Sequence, residues 1–168
     1  MTFKLSKSSM KNLEGVRGDL RMLVEEAITI SPVDFGILDN GGLRTASMQK
    51  ALYQSGASKL NGTSIKSKHQ KQADGFGWAV DLVPYMNGFR WEWPLIYPIA
   101  GVMAYLSRKR DVELRWGGVW DRELDDYAPR DLSSHEDYAA VMKRAVRDYC
   151  VRHPGPDFID GPHYELRK

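Results

Sequence analysis

Asp81 stands in the middle of an apolar run, Trp78-Ala79-Val80-Asp81-Leu82-Val83. A carboxylate there costs several kcal/mol unless it is paired or binds a metal. From this residue alone, a structural ion pair with Arg or Lys and metal ligation are both open. The chain has 4 histidines, and two of them, His69 and His163, stand in loop-like, glycine-flanked contexts beside short strands. In Asp160-Gly161-Pro162-His163-Tyr164-Glu165-Leu166, strand alternation puts Tyr164 and Leu166 on one face and His163 and Glu165 on the other. Asp160 lies three residues before His163, a separation that a Gly-Pro turn can fold onto one site. A metal ligand would then stand beside a general base. Two histidines and one carboxylate leave zinc an open position for water, the arrangement of a catalytic site. Ordinary surface histidines remain the competing reading.

These residues need elements to position them. Leu13, Val16, Leu20, Leu23, Val24 and Ala27 recur at helical spacing, which predicts one amphipathic helix ending near Ser31-Pro32. Phe35-Gly36-Ile37-Leu38 reads as a short strand before Asp39-Asn40-Gly41-Gly42, and Arg44 precedes a helix over 45–53. The polar stretch 56–77, which holds His69, reads as a surface loop. Trp78–Val83 then predicts a buried strand ending at Pro84. A helix over 96–106 follows Pro94, and Val112-Glu113-Leu114-Arg115-Trp116 alternates as a half-buried strand. Asp121, Glu123, Asp125, Asp126 and Asp131 make an acidic loop. The next helix, 136–152, has Tyr138, Val141, Met142, Ala145, Val146 and Tyr149 on one face. Residues 159–166 form a terminal strand.

The 168 residues suit one domain, 1–168, with an insertion at about 121–157. Hydrophobic residues at 42%, charged residues at 27% and the lack of an apolar run near the roughly 20 residues of a membrane span argue against disorder and stable membrane insertion. A net charge of +2 makes nucleic acid no default partner. The single cysteine, Cys150, excludes an intrachain disulfide. Met1–Ser6 lacks the apolar core of a signal peptide, so the expected location is a cytoplasm.

Ser67-Lys68-His69, Gly77-Trp78-Ala79-Val80-Asp81-Leu82, Trp116-Gly117-Gly118-Val119-Trp120 and Asp160-Gly161-Pro162-His163-Tyr164-Glu165-Leu166 occur in one order. With Met1–Ser6, Ser31–Phe35, Gly42–Thr45 and Trp91–Leu95, they resemble the motifs of phage L-alanyl-D-glutamate peptidase endolysins, among the D-Ala-D-Ala carboxypeptidase-like zinc peptidases of family M15. The resemblance spans residues 1–120 and 158–166. It implies an α+β fold, a small hedgehog/DD-peptidase-like domain with a central antiparallel sheet, flanking helices and an inserted helical segment before the last strand. It also implies that His69, Asp81 and His163 bind Zn2+, that Asp160 is the catalytic base, and that Arg44 polarises the substrate carbonyl. Ser67 becomes a candidate substrate contact, with capping of the loop backbone as its alternative. The implied substrate is the peptidoglycan stem peptide. The implied setting is a monomer held in the host cytoplasm until a separate holin opens the way to the wall in the periplasm.

Three departures from the family pattern stand out. Gln70 to Val80 separate His69 from Asp81, about five residues more than usual, which a bulged loop can absorb. Val119 replaces an acidic residue. The segment 121–157 exceeds the usual connection; its helix carries Lys143, Arg144, Arg147 and Arg152 opposite the apolar face, either solvated or facing an anionic envelope. The acidic loop lacks the spacing of an EF-hand Ca2+ site. Competing functions are a thiol peptidase built on Cys150 and His153, a wall-binding module without catalysis, and a D-Ala-D-Ala carboxypeptidase or dipeptidase.

Overall fold

The computed structural model describes residues 2–156 and 158–167. Met1, where the opening motif begins, Asp157, at the expected end of the insertion, and Lys168 lie outside the described residues. The elements in chain order are α1 (Lys7–Asn12), α2 (Gly18–Ile30), β1 (Phe35–Gly36), α3 (Ala46–Gln54), β2 (Ala79–Asp81), β3 (Val83–Pro84), α4 (Trp93–Arg110), β4 (Leu114–Trp116), a 3-10 turn (Leu124–Tyr127), α5 (His135–Arg152) and β5 (His163–Leu166). The α+β expectation holds, with two small antiparallel sheets in place of one central sheet. The first pairs β1 with β3, and the second has the order β2-β5-β4.

The predicted helix through Leu13 divides in two. Gly15 adopts a left-handed φ of 78°, and Val16 leaves the helix to bridge Gly77. Leu13 and Val16 stay buried beside Leu20, Leu23 and Val24, so the apolar spacing reported a common core rather than one rod. The expected strand Trp78–Val83 is likewise divided between the sheets, since Leu82 donates its N–H to Pro162 O rather than to a ladder partner. Helix α4 runs longer than predicted, with Pro94 tolerated in its first turn and Asp111 closing it at a φ of 55°.

The β2-β5-β4 sheet separates two environments by strict alternation. Val80, Leu114, Trp116, Tyr164 and Leu166 enter the core with α2, α4 and α5. Asp81, Arg115, His163 and Glu165 point the other way, into a cavity. The register sets Asp81 opposite His163 and Arg115 opposite Glu165.

The inserted helix α5 docks on α4. Tyr138 lies so close over Gly101 that a Cβ there would sit 2.3 Å from its ring. Of the face predicted for α5, only Val141 is exposed. The acidic loop disperses into separate pairings: Asp121 binds Arg152 at 3.0 Å and His153 at 3.1 Å, Glu123 pairs with Arg167, and Asp131 accepts from Ser133. His153 is thus turned to Asp121, and Cys150 is exposed, so no thiol–imidazole pair forms. Among the described residues, no helix is long and apolar enough to cross a membrane.

Hydrogen bonds from Arg152, with His153 adding its own, hold the Asp121 carboxyl at about 2, below the ordinary 3.8. A carboxylate depressed on folding stabilises the fold above its unfolded pKa and loses that contribution as pH falls toward the folded value. Asp121→Asn is therefore expected to cost about 1 kcal/mol or less at pH 7, as for a largely solvated pair. Thermal midpoints of the two proteins should converge as pH falls from 4 toward 2; a gap independent of pH would refute the pairing.

Candidate active site

Each convergent side chain is delivered by a different local device. Asp81 ends β2 and His163 begins β5, so the pairing of the two strands brings them together across 82 residues of chain. His69 arrives from the long loop. The stretch is a mostly exposed loop, as expected, but it turns inward and is buried at Ser67, His69 and Gln70. Its backbone is tied down: Arg44 N–H donates to His69 O at 2.9 Å and Trp78 N–H to Lys68 O at 2.7 Å. Gln70 Nε2 donates to Gly62 O at 2.9 Å, while the fully buried Gln49 donates to Leu60 O and Ser58 Oγ. The extra residues between His69 and Asp81 leave as an outward turn in which Gln72 N–H donates to Phe76 O at 2.8 Å, and the chain returns at Gly77.

Three donor atoms meet as a result. His69 Nε2 lies 3.2 Å from His163 Nδ1 and 3.2 Å from Asp81 Oδ1, and His163 Nδ1 lies 3.0 Å from the same oxygen. Ligands about 2.0–2.1 Å from a tetrahedral ion are separated by roughly 3.3 Å, so this near-equilateral triangle fits one metal ion. Among the described residues, these three form the group of histidines and carboxylates suited to holding one.

Each donor is braced from behind, as metal ligands generally are. His69 Nδ1 is 2.8 Å from Gly42 O. Here a glycine is required, because a Cβ on residue 42 would lie 1.8 Å from Asn12 O. His163 Nε2 is 3.1 Å from Glu165 Oε2, and Arg44 Nη2 donates to Asp81 Oδ2 at 2.6 Å. Arg44 is itself held by Asn40 O and by Gln49 Oε1. Glu165, Gln49 and Gly42 were not singled out from sequence; for Glu165 the signal was its place two residues after His163 on the same strand face.

The electrostatics follow from this packing. Burial would depress the His163 imidazole, but hydrogen bonds and charge from Asp81 and Glu165 outweigh it and push its pKa up to about 10. Burial lowers His69. For Asp81 burial acts upward, and the facing imidazoles overcome it to hold the carboxyl well below 3.8. Asp160 rises to about 6, first from burial and then from the negative charge of Asp81. Its carboxyl accepts no hydrogen bond among the described residues. Its backbone is fixed by donation to Gly117 O at 2.8 Å. Gly117 permits this approach, since a Cβ there would fall 2.2 Å from Asp160 O.

All six residues expected from sequence, Arg44, Ser67, His69, Asp81, Asp160 and His163, line one cavity of about 780 Å³. Ser67 Oγ accepts from the His69 N–H at 3.2 Å, which is the loop-capping geometry. Val119 is 1% exposed and packs in the core, so no acid is missing from the cavity wall there. Tyr149 of the inserted helix and Phe158 complete the wall.

The model of the phage L-alanyl-D-glutamate peptidase family matches residues 1–138. The chain belongs to that family. A relative, the L-alanyl-D-glutamate peptidase of Escherichia phage T5, is 30% identical over 128 residues, covering 74% of this chain and 87% of the relative. The crystal structure of the Serratia marcescens L-Ala D-Glu endopeptidase ChiX shares the fold, with a TM-score of 0.63 at 23% identity over 98% of this chain and 90% of that one. Membership in this peptidase family fits a cavity that assembles imidazoles, carboxylates and a guanidinium around one point.

Replacing Glu165 with Gln removes charge behind His163 but leaves an oxygen to accept its N–H. Affinity for a divalent transition metal should fall about 10-fold, the low end for partners behind a ligand. Competition against a chromophoric chelator measures this; unchanged affinity would show that Glu165 does not brace the site.

Proposed function

We propose that this member of the phage peptidase family is a zinc-dependent endolysin hydrolysing the L-alanyl-D-glutamate bond of peptidoglycan stem peptides. The observation that carries the reading is the braced triangle of His69, Asp81 and His163 with Asp160 beside it in one cavity. Those three residues are the proposed ligands. When bound, zinc supplies Lewis acidity and lowers the pKa of water toward about 7.

The remaining chemistry belongs to the chain. Asp160, whose carboxyl is not committed to another described group, takes a proton from the attacking water and delivers it to the departing D-glutamyl nitrogen. Arg44 is anchored on three sides, so its positive charge is fixed before substrate arrives and faces the developing oxyanion without reorganisation. Ser67 is proposed to hold the substrate backbone through the hydroxyl hydrogen that its bond to His69 N–H leaves available. Action as a monomer and access to the wall through a separate holin belong to the same proposal.

Digestion of purified muropeptides followed by mass spectrometry tests the bond. A new amino group on D-glutamate is expected, with EDTA abolishing it and Zn2+ restoring it. Release of D-alanine instead would assign a carboxypeptidase, and no cleavage would leave a wall-binding module. Asp160→Asn is expected to lower kcat by about 10²–10⁴-fold while bound zinc per chain stays the same; retained activity would remove Asp160 from the base role.

A further inference from the structure

Arg115 is the cavity cation that neither the sequence motifs nor the proposed chemistry uses. It is the middle residue of β4, between the core residues Leu114 and Trp116, so alternation turns it to the same face as Asp81, His163 and Glu165. Its nearest acidic partner is Glu165, with Nη1 3.6 Å from Oε1. That distance exceeds a good hydrogen bond, and the other oxygen of Glu165 already faces His163. Arg115 donates no hydrogen bond among the described residues, although its side chain is only 35% exposed. A guanidinium with its fork unfilled, held on a strand and facing the cavity, is built to take a carboxylate in two parallel bonds.

The other cavity cations are committed or peripheral. Arg44 is bound on three sides. Lys59 lies over the Phe158 ring at 5.6 Å. Lys68 lies over Trp78 at 4.6 Å, and Lys66 is exposed at the rim.

The substrate chemistry supplies the matching group. A glutamate whose nitrogen sits in the scissile bond has two carboxyl groups, and at most one can carry the peptide onward. The other is a free carboxylate within a few bonds of the reacting nitrogen. We infer that Arg115 binds this carboxylate and makes the cavity selective for a charged D-glutamyl residue on the amine side of the cut. The inference rests on the proposed cleavage of an L-alanyl-D-glutamate bond.

Two synthetic stem peptides test it, one with the free carboxylate and one with a carboxamide in its place, each assayed with the zinc-loaded protein. Wild type should favour the carboxylate peptide in kcat/KM by roughly 10- to 100-fold, the scale of a charge-assisted bond. In Arg115→Gln that ratio should fall toward one, and Arg115→Lys, which keeps charge without the fork, should give an intermediate ratio. Equal wild-type rates on the two peptides would overturn the inference and leave the peptidase reading intact. So would a proportional loss on both in Arg115→Gln, which would make Arg115 a positioning residue acting through Glu165 and His163. Failure of wild type to cut either peptide between alanine and glutamate would overturn both.

Discussion

A carboxylate largely withdrawn from water at the end of a strand must be neutralised, and the architecture around Asp81 is arranged to meet that demand. One of its oxygens faces two imidazoles and the other accepts from Arg44. Arg44 in turn depends on Gln49, whose amide nitrogen also ties down the loop that carries His69. Helix α3, the long loop and two strands are thereby coupled through one charge. Removing any member leaves a buried polar group without its partner, a costlier change than losing a hydrogen bond at the surface. The high pKa of His163 has the same origin: two flanking carboxylates favour a cation at this point, and a metal ion answers the same electrostatic requirement as a proton.

The chemistry of the site was more legible in the sequence than the path of the chain through it. Asp81 betrayed itself by its apolar neighbours, and the alternation of His163 with Tyr164 correctly separated cavity from core. Composition correctly marked 56–77 as a mostly exposed loop, because Ser, Lys, Gly and Gln usually face water. It did not reveal that the loop turns inward at Ser67, His69 and Gln70, where Gln49 and Gln70 satisfy backbone groups. The break between α1 and α2 escaped detection because Leu13 and Val16 are core residues in either geometry; Gly15 was the available sign. Leu82 hid the change of sheet for a similar reason, since a strand that transfers between two buried sheets stays apolar throughout. Arg44 was recognised as functional through resemblance alone, and its partnership with Asp81 required the structure.

The segment that departs most from the family pattern is integrated, not appended. Tyr138 fits over Gly101 and Met142 is fully buried, while Tyr149 reaches the cavity wall. The helix that lengthens the chain therefore helps shape the space in which substrate must lie. Its basic residues are partly neutralised locally, Arg152 by Asp121 and Arg147 by Asp148. The Asp121–Arg152 pair fastens the segment to the end of its own helix.

The order β2-β5-β4 places in the middle of the sheet the strand that comes last in the chain. A protein is made from its amino terminus, so β2 and β4 leave the ribosome as two edges with nothing between them, and Asp81 waits for His163 across 82 residues. Contacts this distant in sequence form slowly. A nascent chain stopped before β5 has neither the three-stranded sheet nor His163 beside Asp81. One strand thus completes two things at once, the β2-β5-β4 sheet and the meeting of His69, Asp81 and His163.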